Sequence, residues 1–283
     1  METPGLAGAG LLAAALCLGL SLWMRKISGE IRGRERQRLG LWLAPAAGEG
    51  EGAAAGGGLS PPVTGGLRPA LLVIAHPDDE CMFFAPAAVR LVGCGVPVRV
   101  LCLSAGNFYN QGEIRKKELL ESCGALGISL SHITVLDHRD LPDHPRVQWD
   151  RDLVSSLILR YIQSHHIGLV LTFDEGGVSG HVNHIAVYYA VRKLCSERKL
   201  PVGCRVLVLE STNIIRKYIS ILDLPISWLR PHDMIYILSS EEYQQARVSN
   251  SFCVLCYFLF YILFYPPCCV LEKYSHSNLH YIP

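Results

Sequence analysis

The chain has 283 residues, enough for one α/β domain with a full core and appendages at either end. Lys and Arg number 26 against 25 Asp and Glu, a balance that supplies no strong pull toward nucleic acid and excludes it as an expected partner. Half of the residues are hydrophobic, and the excess sits at the two ends.

The first apolar end, Leu6 to Met24, is about 19 residues without a charge, close to one bilayer crossing. Arg25, Lys26, Arg32, Arg34, Arg36 and Arg38 follow it. A basic flank stays on the cytoplasmic side, so the expectation for 1–24 is a single-pass signal anchor with the main domain facing the cytoplasm. The alternative is a cleaved signal peptide, but such a peptide carries a basic leading region and a shorter apolar run. From Gly40 to Pro69 the sequence is rich in Ala, Gly and Pro and low in complexity, so 25–69 reads as a basic flank and a flexible linker. The folded domain is expected over 70–248.

Within it, strands and helices alternate. Leu71–Ala75, Val98–Ser104, Ile133–Asp137, Leu169–Phe173, Val206–Ser211 and Met234–Leu238 read as strands. Helical patterns cover Glu80–Val92, Glu113–Leu126, Asp150–His165 and Asn183–Glu197, with a short one after Ser239 running through Ala246. Continuous Val/Leu/Ile strands are expected where helices cover both faces of a parallel sheet, and right-handed crossovers then predict a Rossmann-like three-layer sandwich. The last stretch, 249–283, contains the apolar segment Ser251–Leu271, rich in aromatics and cysteine. It reads either as a membrane-embedded segment or as sequence that never packs on the domain. The eleven cysteines lie scattered through apolar runs, which suits buried thiols in a cytosolic domain better than a disulfide framework.

The residues that carry chemistry lie on the turn leaving the first strand. His76-Pro77-Asp78-Asp79-Glu80 puts one imidazole and three carboxylates where open α/β sheets place their ligands. His76 and Asp79, three apart, can reach one divalent ion, and Asp78 between them can take a proton from an activated water. Downstream, Gly180-His181-Val182-Asn183-His184 offers two more imidazoles. One completes a ligand set; the other stabilises an oxyanion. A bare His-Pro-Asp is by itself only a turn. The distal histidine pair makes a turn alone a poor account of these residues.

These two motifs together resemble the LmbE-like (PIG-L) deacetylases, a family of metal-dependent enzymes acting on N-acetylglucosamine conjugates. The resemblance spans roughly Leu71 to Leu222, and the anchor with the segments Ser104–Gly112 and Arg216–Pro225 is similar to the family's eukaryotic branch. That branch acts on N-acetylglucosaminylphosphatidylinositol at the endoplasmic reticulum membrane during glycosylphosphatidylinositol-anchor synthesis. The resemblance implies a zinc-dependent hydrolase of the acetamide that releases acetate. It implies His76, Asp79 and His184 as ligands of zinc or another divalent metal, Asp78 as general base and His181 as the oxyanion-stabilising residue. Arg115 and Glu118 match a charged pair of the family; Arg115 reads either as a substrate contact or as part of a solvated helix face. Asp137, Arg139 and Asp140 read either as sugar-binding residues or as a polar turn. The competing functions are an inactive scaffold form, another LmbE-like amidohydrolase with a different conjugate, and a phosphate-binding Rossmann module without catalysis. The sequence names no protein partner.

Overall fold

The structure, a computed structural model, describes residues 4–44, 66–211, 233–251 and 271–275. The linker over 45–65, the Arg216–Pro225 segment and most of the apolar tail lie outside the described residues.

Seven strands form one sheet in the order β3-β2-β1-β4-β5-β7-β6. They are β1 (Ala70–Ile74), β2 (Val98–Cys102), β3 (Ile133–Val135), β4 (Leu169–Phe173), β5 (Arg205–Leu209), β6 (Met234–Ile237) and β7 (Leu271–Ser275). β1 pairs in parallel with β2 and β4, β2 with β3, and β4 with β5. The two central strands are buried along their whole length, the consequence of cover on both faces and the reason their sequences do not alternate. The helices are α1 (Pro4–Trp42), α2 (Asp79–Met82), α3 (Ala85–Gly93), α4 (Gly112–Ala125), α5 (Arg151–Ser164), α6 (Gly177–Gly180), α7 (Val182–Ser196) and α8 (Ser240–Ser251). α5 packs on α7, while α3 and α4 pack on α8 and α1 lies against β6. The expected three-layer, mainly parallel α/β sandwich is what the chain forms.

Three boundaries differ from the sequence reading, each for a physical reason. The single helix expected over Glu80–Val92 is broken at Phe83–Phe84, and α3 restarts with Pro86 in its first turn, where a missing N–H costs nothing. β7 joins the sheet antiparallel to both β5 and β6, with Leu209 opposite Tyr274 and Met234 opposite Tyr274 on its other side. Part of the tail after 248 therefore belongs to the domain. A strand this short, isolated by an unfamiliar sequence, has no local signal apart from its partners.

The third difference is the largest. α1 does not stop at Met24 but continues through the basic flank to Trp42, and Ile27, Ile31, Leu39 and Leu43 are buried, the last two within the main core. Ile27, Ile31, Glu35 and Leu39 recur every fourth position and share one helix face, a stripe that the abundance of arginine between them conceals. The domain thus begins before residue 70. Among the described residues no helix is long and apolar enough to cross a membrane; the side chains of much of the uncharged half of α1 lie outside those residues.

Candidate metal centre

The order β2-β1-β4 makes the gap between β1 and β4 the topological switch point, where two loops leave the sheet in opposite directions and open a crevice. His76 to Asp79 follow β1 and the Asp174–His184 loop follows β4, so the sheet itself brings the two motifs together. The His76, His181 and His184 ring centroids are 4.8 to 5.5 Å apart. One nitrogen from each ring lies within 4.8 Å of the others, a grouping able to hold a metal ion.

Asp79 is the buried centre of the arrangement. Its Oδ2 accepts hydrogen bonds from the backbone N–H of Ala75 and of His76, both at 2.9 Å, which fixes the carboxylate and aims Oδ1 across the crevice. Burial pushes its pKa up, but the His184 charge and these hydrogen bonds outweigh that and bring it to about 2, so Asp79 is an anion. His184 Nε2 stands 3.0 Å from Asp79 Oδ1 yet has no hydrogen-bond partner. The other nitrogen, Nδ1, donates to Gly177 O at 3.0 Å, so the neutral ring carries its lone pair on Nε2. With no metal bound, burial is outweighed by the Asp79 charge, which raises the His184 pKa and favours a proton on Nε2. Facing the Asp79 carboxylate at that distance in a buried site, Nε2 calls for a positive charge, supplied by a proton on the ring or by a metal ion in its place. This orphaned nitrogen is the observation that fits the residues to a metal. Phe173 stacks on the His184 ring at 4.0 Å and holds its plane.

His181 has the opposite tautomer. It caps α7, and its Nδ1 accepts the Asn183 backbone N–H at 3.3 Å, so the ring proton sits on Nε2. Burial lowers its pKa and favours the neutral ring. The two histidines of one short motif are therefore set up differently, one to donate an electron pair and one to donate a proton.

His76 is buried, and burial lowers its pKa to about 4 against the pull of Asp79 and Asp143. Its Nε2 lies 3.2 Å from Asp143 Oδ1 and 2.9 Å from the Asn183 amide. Asn183 is completely buried, and its Oδ1 has no partner. Turning that amide so that Oδ1 faces the ring lets Oδ1 accept from His76, puts the His76 proton on Nε2 and leaves Nδ1 as the electron-pair donor on the Asp79 side.

Asp78 occupies a left-handed conformation at φ 116°, strained for a residue with a Cβ. Its surroundings over-determine it: Glu80 Oε2 accepts its N–H, and its carbonyl accepts from Cys81 and Met82. Arg115 then clamps the turn, with Nη2 donating to Asp78 Oδ2 at 2.6 Å and to Pro77 O at 2.5 Å. Its Nη1 donates to Gly106 O and sits 3.4 Å from Asp143 Oδ2. Gly106, itself at φ 67°, makes room for the guanidinium, since a Cβ there would collide with Nη1. Arg115 is therefore not part of a solvated helix face. It orients Asp78.

Asp140, in contrast, is exposed and pairs with Arg139 and His138, and Asp137 pairs with Lys116; among the described residues no contact brings either to the crevice. Two site residues were missing from the sequence reading. Asn183 lies inside the second motif, where its burial was the only further clue. Asp143 lies in the polar loop after β3 among other charged residues, and nothing in the sequence marks it above its neighbours.

The fold and this crevice define a class: a three-layer α/β protein with a histidine- and aspartate-lined crevice at the switch point of its sheet, whose histidines could hold a metal ion. Residues 71–195 match the family described as PIG-L, GlcNAc-PI de-N-acetylase. The chain is 52% identical over 187 residues to the N-acetylglucosaminyl-phosphatidylinositol de-N-acetylase of Bos taurus, an alignment covering 66% of this chain and 74% of that protein. It is 35% identical over 188 residues to the probable enzyme of the same description from Dictyostelium discoideum, covering 58% and 73% respectively. The chain belongs to the PIG-L family. Among solved structures, the N,N'-diacetylchitobiose deacetylase of Pyrococcus horikoshii shares the fold, with TM-score 0.53 at 13% identity over 76% of this chain and 86% of that one.

Proposed function

We propose that the protein is a metal-dependent de-N-acetylase acting on N-acetylglucosaminylphosphatidylinositol, releasing acetate and leaving a free glucosamine on the glycolipid. The observation that carries the reading is the orphaned His184 Nε2 facing the Asp79 carboxylate in a crevice of a PIG-L family member. His76, Asp79 and His184 would hold the metal, zinc being the natural fit to two imidazoles and a carboxylate, with other divalent ions also suited. When bound, the metal supplies Lewis acidity, polarising the acetyl carbonyl and making water a nucleophile near neutral pH.

The chain's own residues do the rest. Asp78, held by Arg115, takes the proton from the attacking water and returns it to the departing amine. His181, with its proton on Nε2, donates a hydrogen bond to the oxyanion that develops from the acetyl oxygen. Arg115 is engaged with Asp78 and Pro77, which supports a role in positioning Asp78. Asp140 was expected at the sugar, and its exposed pairing with Arg139 gives that role no support.

The uncharged stretch Leu6–Met24 of α1 would anchor the chain in the endoplasmic reticulum membrane, with the domain on the cytoplasmic side where the basic flank lies. A test is acetate release from the glycolipid by the detergent-solubilised full chain, before and after chelation and after adding zinc back. Release that stops with chelator and returns with metal is expected. A stoichiometrically metallated chain that releases nothing would remove this substrate.

A further inference from the structure

The direction of α1 relative to the sheet assigns the molecule an orientation at the membrane. We infer that the edge of the sheet carrying the catalytic crevice faces the bilayer, and that Phe108 and Tyr109 on its rim enter the bilayer interface. The inference rests on the reading of α1 as an anchor and of the substrate as a glycolipid.

Two sets of contacts at different heights fix the helix direction. At one end, Arg38 bonds the carbonyl of Asp233, just before β6 begins, and Leu43 O accepts from Arg68, just before β1. Trp42 lies under the guanidinium of Arg205, the first residue of β5, at 5.1 Å, and a Cβ on Gly168, before β4, would meet the Leu43 side chain. These are all N-terminal strand ends. At the other, Arg32 Nε donates to Ile237 O, the last residue of β6, and its guanidinium pairs with Glu242 in the first turn of α8. β6 runs in the same direction as β5, because β7 is antiparallel to both. Followed backwards, α1 therefore climbs from the N-terminal to the C-terminal edge of the sheet and leaves the domain on the edge where β1 and β4 present the crevice.

Trp23, Arg25 and Lys26 lie on the helix beyond that edge, Trp23 and Arg25 exposed, the residue types that mark a headgroup layer. Arg25 is seven residues from Arg32, about 10 Å along the axis, and the uncharged stretch begins immediately beyond it. The loop after β2 leaves the sheet on that same edge, because β2 is parallel to β1. The loop after β2 carries Phe108 and Tyr109, the latter 70% exposed, in edge-to-face contact at 4.7 Å. Phe108 also meets His144 of the loop after β3 at 5.3 Å, and its N–H donates to Asp143 Oδ2, the carboxylate beside His76. Ile114, in the first turn of α4, and Val147, in the loop after β3, are exposed as well. An aromatic and aliphatic rim that solvent would disfavour is thus joined by single contacts to the crevice and lies on the anchor's side of the domain. A headgroup attached to a membrane-resident lipid would meet the crevice without leaving the interface.

The test uses the full chain reconstituted in phosphatidylcholine vesicles brominated on the upper part of the acyl chains. Tyr109→Trp is compared with Val202→Trp, which sits 99% exposed just before β5 on the opposite edge. The signal is the quenching beyond that of the parent, whose four native tryptophans include Trp23. Quenching of the added indole at 109 and none at 202 is expected. Quenching at 202, at both positions equally, or at neither overturns the orientation. The readout does not depend on turnover, so a chain that is quenched at 109 but inert toward the glycolipid would reject the substrate and leave the orientation standing. In the active protein, Tyr109→Ser should raise KM for vesicle-embedded glycolipid several-fold and leave turnover of its deacylated, water-soluble head group unchanged. An unchanged KM in vesicles would remove Tyr109 from the interface.

Discussion

The molecule buries two clusters of charged groups, and they are built on opposite plans. In the crevice, Asp79, His76, His184 and Asn183 are buried, and His184 Nε2 has no hydrogen-bond partner. Between α1, α3 and α8, Glu35, Arg90, Glu242 and Arg32 close on one another. Arg90 Nε is 3.2 Å from both Glu35 oxygens, Arg90 Nη1 is 2.7 Å from Glu242 Oε1, and Ser239 N donates to Glu242 Oε2. Neither Arg90 nor either glutamate appears among the orphaned buried atoms of the described residues. A complete network specifies how a helix sits. An incomplete one is shaped for something that is added. Each side chain such as Ile31 or Leu39 stabilises the docked helix by about 2 kcal/mol, whereas a buried ion pair roughly breaks even, so the apolar stripe supplies the affinity and the ions the register.

The widest way to separate the clusters is to alter charge in each. Asp78→Asn keeps the size of the side chain and its place against Arg115 but cannot take a proton. Metal content should remain stoichiometric while kcat falls by about three to four orders of magnitude. His184→Ala should instead lose the metal itself. If Asp78→Asn turned over near the parent rate, the general base would have to be sought elsewhere. Next in size is His181→Ala, with metal retained and kcat down by about two to three orders of magnitude, read from metal analysis beside single-turnover rates. Loss of metal from that variant would make His181 a ligand and contradict the tautomer drawn from its contact with Asn183 N.

How much of this contrast the sequence carried depends on range. The strands of the sheet's parallel half follow from continuous apolar runs, because burial on both faces leaves that signature most fully in the central strands. The crevice was legible at His76, Asp78, Asp79, His181 and His184, since strand ends and helix starts put short motifs where chemistry occurs. Arg115 remained ambiguous because its role depends on Gly106 and Asp143, each distant in sequence or unmarked in it. The second cluster was invisible: Glu35 meets Arg90 across 55 residues and Arg90 meets Glu242 across 152, and no local pattern encodes such a pairing. Arginine-rich residues 25–38 therefore read as a solvated flank. β7 was missed for the same reason, being defined only by its neighbours.

Breaking the closed cluster should cost less than emptying the open one, and its effect should be local. Arg90→Ala leaves Glu35 and Glu242 facing each other without their shared cation, a loss of about 3 to 5 kcal/mol. Hydrogen exchange over Ile27–Leu43 should speed up markedly, while metal content stays stoichiometric. Protection equal to the parent's would mean that the apolar stripe alone holds α1.

The smallest effect is the pH dependence of that docking, and its sign follows from Glu35. Burial, only partly opposed by Arg90, raises the Glu35 pKa from 4.5 to about 7. The folded protein then binds this proton more tightly than the unfolded chain does, so stability is fully present below pH 4.5 and is lost as pH rises to about 7. A tenfold difference in proton affinity between folded and unfolded chain corresponds to about 1.4 kcal/mol, an upper bound where neighbouring side chains relax. Glu242 has the opposite sign: burial raises its pKa, but the Ser239 N–H and Arg90 outweigh that, so its contribution disappears on acidification. Its window lies below the one set by Glu35. Glu80, fully buried against Ser122 in the other cluster, is also raised to about 7 by burial and titrates in the same direction as Glu35. The Glu35 and Glu80 contributions to thermal stability should therefore fall between about pH 5 and about pH 8, against a rise below pH 6.5 from His76, whose pKa burial lowers to about 4. Glu35→Gln should flatten that fall without abolishing it, since Glu80 continues to titrate. An unaltered slope would place the titration wholly beside the metal centre and leave Glu35 ionised throughout, as Arg90 on its own would have it.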